Sequence, residues 1–274
     1  MNNLHRELAP ISDAAWEQIE QEASRTLKRY LAARRVVDVP EAKGSKLAAV
    51  GTCHTQPIES PADGVEAVRR VVNAVVELRA PFTLTRQAID DVERGSEDSD
   101  WSPLKEAARK IAYAENRAVF DGYAAASISG IRPGASNEPI ALPSVPSGYP
   151  AVVAQAVDRL RLAGVGGPYR LVLGDDPFTA ISGGSEEGYP VLQHIQRLVE
   201  GDIVWAPGIE GGLVLTGRGG DFALDLGQDL SIGYLSNSGT EVALYLQESF
   251  TFRLLTTEAA VALSAHGNDA PSSN

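Results

Sequence analysis

The chain has 274 residues, 43% of them hydrophobic, with a net charge of −12 and a pI of about 4.8. That length and composition allow one large domain or two intertwined ones and exclude the disordered class, while the acidic balance sets the chain against phosphate backbones as partners. The opening MNNLHRELAPISD has no apolar run of the secretory type, no window is long enough to span a bilayer, and the single Cys53 excludes an internal disulfide; a reducing cytoplasm fits all of this.

In chain order, the pattern predicts one helix over 12–36, with Ser12 as N-cap and Trp16, Ile19, Ala23, Leu27, Tyr30 and Leu31 on one face. The helix is acidic early and basic late, which suits its dipole. Residues 44–86 read as a long excursion of two extended strands with little core of their own. The acidic stretch IDDVERGSEDSDWSP (89–103) follows, and Ser102–Pro103 start a second long helix that reaches about Ser129. Glu115 falls on the apolar face of that helix. A proline-rich connector, IRPGASNEPIALPSVPSGYP, marks a subdomain boundary.

Residues 150–222 read as α/β: a helix to Gly164, the strand YRLVLG, the polar loop ISGGSEEGYP, the helix VLQHIQRLVEG, and the strands DIVWAP and GGLVLTG. EVALYLQESFTFRLL predicts a strand with alternating faces, in which Glu248 breaks the apolar phase. A buried unpaired carboxylate is costly, so Glu248 calls for a cation or a rim position. TEAAVALSA predicts a short helix, and HGNDAPSSN a loose tail.

The residues that carry chemistry are sparse. His5, His54, His194 and His266 have no metal-binding spacing, so no metal site is expected. The glycine-rich pieces match neither GxGxxG, the P-loop nor GxSxG. The acidic stretch does not follow a calcium-loop order. It reads as a solvated segment ahead of a helix, though a carboxylate pair including Asp98 and Asp100 would suit a hydrolase. Extended arms with little core point instead to self-assembly, and a bacteriocin-like effector is a further alternative.

Several phrases carry a family resemblance: MNNLHRELAPISDAAWEQIEQEA, PFTLTRQAIDDVERGSEDSDW, AENRAVFDGY, LVEGDIVWAP, LTGRGGDFALDLGQDLSIGY and LYLQESFTF, in order from residue 1 to about 264. The chain closely resembles the family 1 encapsulins, the linocin-type proteins, in their actinobacterial form. The resemblance implies an α+β fold of the HK97 phage-capsid type. Its parts would be an N-terminal helix and start of the peripheral domain (1–43), an E-loop (44–86), the peripheral domain with its spine helix (87–131), an apical domain (132–222), a peripheral return (223–264) and a flexible tail (265–274).

The resemblance further implies a non-enzymatic, cytoplasmic shell protein. About sixty copies would close an icosahedral (T=1) cage around a cargo enzyme, a dye-decolorizing peroxidase or a ferritin-like protein. The cargo's C-terminal peptide would dock on Leu27, Tyr30, Leu31, Arg34, Asp38, Asp229, Leu230 and Ile232, residues that would equally serve ordinary helix packing. Ser185, Glu186, Glu187, Gly188 and Tyr189 would line a five-fold pore that favours cations, or form a solvated turn. Asp90, Asp91 and Glu93 would pair across subunits with Arg79 and Arg86, and with Arg69 and Arg70 as further candidates. TRQAID after FTL offers no aromatic residue, so no flavin or other cofactor is expected.

Overall fold

The computed structural model describes residues 3–186 and 188–265. Along the chain the elements are α1 (Asp13–Tyr30), β1 (Ala49–Ile58), β2 (Ala67–Ala74), β3 (Val76–Thr85), α2 (Arg86–Glu93), α3 (Ser102–Phe120), α4 (Ile131–Gly134), β4 (Ile140–Ala141) and α5 (Tyr149–Leu162). They continue with β5 (Tyr169–Leu173), α6 (Asp175–Gly183), β6 (Ser185–Glu186), β7 (Tyr189–Pro190), α7 (Val191–Val199), β8 (Glu200–Trp205), β9 (Gly212–Thr216), β10 (Phe222–Leu226), β11 (Ser231–Asn237), β12 (Glu241–Leu254) and β13 (Ala260–Ser264). No helix among the described residues is long and apolar enough to cross a membrane.

The long strand β12 organises the first half of the architecture. One edge pairs antiparallel with β3, from Glu241↔Thr85 to Phe250↔Val76. The other edge is shared: β11 takes Val242 to Gln247, and β10 takes Phe250 to Leu254. The even-numbered face therefore runs over two cores in succession. Val242, Leu244 and Leu246 pack with α1, α2 and α3, whereas Phe250 and Phe252 join a second core shared with α5, β5 and β9. Glu248 sits at the seam. Helix α3 makes the same crossing, with Leu104 to Ala112 in one core and Ala118 to Phe120 in the other. The seam on α3 falls at Glu115 and Asn116, both fully buried.

The second sheet has the order β4-β13-β9-β5-β8 and is covered by α5 and α7. TEAAVALSA, expected as a helix, instead contributes β13, paired antiparallel with β9 and parallel with β4. Residues Ala259 to Leu263 are all buried. A slot between two strands satisfies their backbone on both edges, and this overrides the helix preference of three alanines. The expected alternation of β12 fails for a related reason. Gln247, Ser249 and Thr251 are buried along with the even-numbered face, because the strand is covered on both sides.

The excursion expected over 44–86 divides at Val75. β1 and β2 form an antiparallel arm, from Ala49↔Ala74 to Ile58↔Ala67, with a bulge at Gly51/Thr55. β3 is not part of it but a strand of the first sheet. Helix 12–36 stops at Tyr30 and resumes as a short 3-10 turn at Ala33–Arg35; the helix from Ser102 ends at Phe120. Its start is capped differently from expectation. Asp100 Oδ1 accepts Ser102 N–H at 3.0 Å, and Trp101 holds the N-cap position. The Ser102 side chain first, and then this backbone bond, keep the Asp100 carboxyl below its ordinary range.

Candidate functional site

Helix α1 begins as its sequence requires: Ser12 Oγ accepts Ala15 N–H at 3.3 Å, Asp13 lies in the first turn, and Lys28 and Arg29 lie in the last. Beside it runs a groove of about 430 Å³. Ala23, Leu27 and Leu31 form one wall, Leu230, Ile232 and Leu246 the other, and Leu4 closes an end. Arg6, Glu20, Lys28, Arg34 and Asp229 stand at the rim, with Arg6 paired to Glu20 at 2.5 Å. A groove with an aliphatic floor and charged lips accepts an extended peptide whose alternate side chains point inward.

Of the eight residues expected at a docking site, the fold brings six together here: Leu27, Leu31, Arg34, Asp229, Leu230 and Ile232. Tyr30 and Asp38 stand elsewhere. One residue along a helix is a rotation of about 100°, and Tyr30 is turned to the opposite flank of α1. Its ring lies 5.8 Å from that of Tyr113 and 5.7 Å from that of Trp205. Asp38 bridges to β10: its Oδ2 accepts Gly220 N–H at 2.6 Å, and its backbone exchanges hydrogen bonds with Phe222 and Leu224.

Arg34 ends the groove and ties it to the seam beneath. Its Nε and Nη2 donate to Glu115 at 2.8 and 2.6 Å, Nη2 also donates to Glu248 Oε2 at 3.0 Å, and Nη1 donates to Asp229 Oδ1 at 2.7 Å. The Glu115 and Glu248 side chains are 0% exposed and that of Asp229 is 55% exposed, so the guanidinium spans from the interior to the groove lip. Burial opposes the Arg34 charge, but the Glu115 and Glu248 carboxylates and the bonds to Glu115 and Asp229 more than reverse this, and its pKa rises above the usual arginine value.

One buried cation cannot balance two buried carboxylates. Burial first, and then the charge of Glu115, pushes Glu248 well above the ordinary glutamate range. Glu248 Oε1 is buried with no hydrogen-bond partner among the described residues. A retained proton lets Glu248 hydrogen-bond to Glu115 instead, which removes both the second buried charge and the orphaned atom.

Asn116, next on α3, completes the node. Its Oδ1 accepts the N–H groups of Ala32 and Ala33, each at 3.0 Å, and its Nδ2 donates to Tyr30 O at 2.8 Å. Ala32 N–H also donates to Tyr30 O at 2.9 Å, so the amide adds to that turn, takes up the Ala33 N–H, and fixes where the chain turns from Leu31 to Arg34. Sequence reasoning did not assign Glu115, Asn116 or Glu248 to the site. The available signal was a carboxylate inside an apolar stripe, on α3 and again on β12.

The other expected sites are placed as follows. Ser185, Gly188 and Tyr189 belong to a small hairpin, β6–β7, between α6 and α7, with Tyr189 under Arg197 at 5.3 Å; Glu187 lies outside the described residues, as does the tail after 265. Asp91 pairs within its own helix region with Arg94, while Asp90 and Glu93 are exposed. Arg79 pairs with Glu77 at 3.1 Å and lies over the Tyr245 ring at 4.8 Å. Arg69 donates to Gln56 on the paired strand. Arg86 Nε is buried with no hydrogen-bond partner among the described residues. No group of histidine, cysteine, aspartate and glutamate residues among them could hold a metal ion.

Residues 1–251 match the family model described as an encapsulating protein for peroxidase, Linocin_M18. A type 1 encapsulin shell protein of Rhodococcus erythropolis is 56% identical over 264 residues, covering 96% of this chain and 100% of the relative. One from Mycobacterium tuberculosis is 54% identical with the same coverage. Among solved structures, the virus-like particle from Pyrococcus furiosus aligns with a TM-score of 0.66 at 17% identity, over 91% of this chain and 99% of that one. The capsid of Myoviridae phage XM1 aligns at 0.51 and 12% identity, over 86% and 92%. The α+β architecture is thus the HK97 capsid fold expected from the sequence.

Proposed function

The chain belongs to the family 1 encapsulins, the linocin-type encapsulating proteins, and on that premise we propose that it is the shell subunit of a closed, hollow compartment. About sixty copies form the cage, the smallest icosahedral set. The cage encloses a dye-decolorizing peroxidase or a ferritin-like protein, whose C-terminal peptide lies in the groove between α1 and β11. Small solutes enter where the 184–190 segments of neighbouring subunits meet. The subunit's role is structural.

The observation that carries this reading is the β1–β2 arm. A lone two-stranded ribbon is marginal in water. This one exposes Ile58, Val65, Val68 and Val72, each between 49% and 60%, with nothing among the described residues to cover them. Copies of the same chain supply the missing cover when the subunits close into a shell. Negative-stain microscopy of the purified protein tests the reading: uniform hollow particles are expected, and a compact single subunit at working concentration would overturn it. For the groove, a labelled peptide with leucine at alternate positions should bind the assembled protein. The half-buried Leu230 can be changed without opening the core. Losing one buried leucine contact and adding a charge should weaken binding at least about tenfold in Leu230→Asp. An unchanged affinity would exclude the groove.

A further inference from the structure

We propose that a basic track leads from the docking groove across α1 into the cleft between α1 and α3, and that it binds an acidic segment adjoining the apolar peptide in the groove. The inference rests on the groove being the docking site and adds the chemistry of the partner's flank.

The cleft is larger than the groove, about 590 Å³, and is lined on both helices by cations: Arg25 and Arg29 from α1, Lys105 and Arg109 from α3. Two carboxylates also face it, and both are already engaged. Glu22 accepts from Arg25; Glu106 accepts from Arg109 at 2.6 Å and lies 3.6 Å from Lys110. Arg29 and Lys105 have no carboxylate within ion-pair distance among the described residues. Arg29 is held by aromatic faces instead, 5.8 Å from the centroid of Tyr30 and 6.0 Å from that of Trp205. A cation–π hold leaves the guanidinium N–H donors unspent.

The charge is continuous with the groove. Lys28 stands on the groove rim, and the next residue, Arg29, lines the cleft. Arg25, one turn earlier on the same face as Arg29, is exposed at the cleft. This strip of positive charge runs along a chain whose net charge is −12. If it were only a solvated helix face, the surplus carboxylates of the chain would be its natural complement, yet among the described residues none pairs directly with Arg29 or Lys105, and the Asp100 carboxylate acts on Lys105 only through its longer-range charge. A helix with its side chains is about 10 Å across, and an extended chain advances about 3.3 Å per residue. Acidic residues about three to five positions from the apolar segment therefore reach the cleft.

Fluorescence anisotropy on the assembled protein tests this with two synthetic peptides. Both carry the same core of alternating leucine and serine; one has an Asp-Glu-Asp flank, the other Ser-Gln-Ser. At low salt the acidic-flanked peptide should bind about fivefold more tightly, the yield of two exposed ion pairs, and the preference should fade at high salt. Arg29→Gln with Lys105→Gln should abolish the preference and leave the neutral peptide's affinity unchanged. Equal binding of the two peptides, or a variant that weakens both alike, would overturn the track while leaving the groove in place. If neither peptide binds and Leu230→Asp changes nothing, the groove reading falls, and the track with it.

Discussion

Replacing Glu248 by glutamine keeps the shape of the side chain at the seam of the two cores and removes its titration. In the wild type, the buried Glu248 carboxyl holds its proton well above the usual glutamate range, because burial and the Glu115 charge both disfavour ionisation. An unfolded glutamate gives up its proton near about pH 4.3. The group therefore contributes its full stability below that value and loses it as the pH climbs toward the raised native value. Within that window unfolding releases one proton per subunit, and each pH unit costs about 1.4 kcal/mol. Glutamine has no such loss, yet its amide still donates to Glu115 and its carbonyl still accepts from Arg34. For a chain of this size each kcal/mol moves Tm by about 2–4 °C. The Tm of the Glu248→Gln protein should thus gain on the wild type by about 3–6 °C for each pH unit above the ordinary glutamate value. Calorimetry from about pH 5 to 6.5, at one protein concentration and scan rate, measures this, since subunit stability is linked to assembly. Parallel Tm curves, with the variant lower throughout, would mean that Glu248 is an ionised counter-ion of Arg34 and would refute the shared proton.

Two further substitutions probe the node and the surface. Asn116→Ala strands the buried N–H of Ala33 and leaves that of Ala32 with its bond to Tyr30 O alone, at a cost of about 1–3 kcal/mol. Asn116→Asp restores the acceptor but not the donation to Tyr30 O, so it should recover only part of the loss in a thermal melt; an Ala variant within about 0.5 kcal/mol of wild type would show that the amide is not the cap. Reversing Asp90 and Asp91 to lysine breaks the Arg94 contact and, if these carboxylates meet arginines of neighbouring subunits, should shift the protein to smaller species in size-exclusion runs at low salt. Particles of normal size would remove those two residues from the subunit contacts.

Local periodicity was enough to find α1, α3, α5 and α7, because a helix that packs on a core must repeat its apolar residues at its own pitch. Resemblance along the chain identified the fold and six of the groove residues. Where a short segment has no strong period, its surroundings decided: Ala260 to Ser264 became a strand because a slot between β9 and β4 was open to it. Tyr30 and Leu31 are neighbours in sequence, yet they face different cavities, since the rotation per residue separates them. The node beneath the groove was decided only by tertiary structure. Arg34 meets partners 81, 195 and 214 residues away. A carboxylate in an apolar stripe announces an unmet electrostatic need, but Glu115 and Glu248 reveal their common cation, and the proton between them, only where α3 and β12 pass from one core to the other.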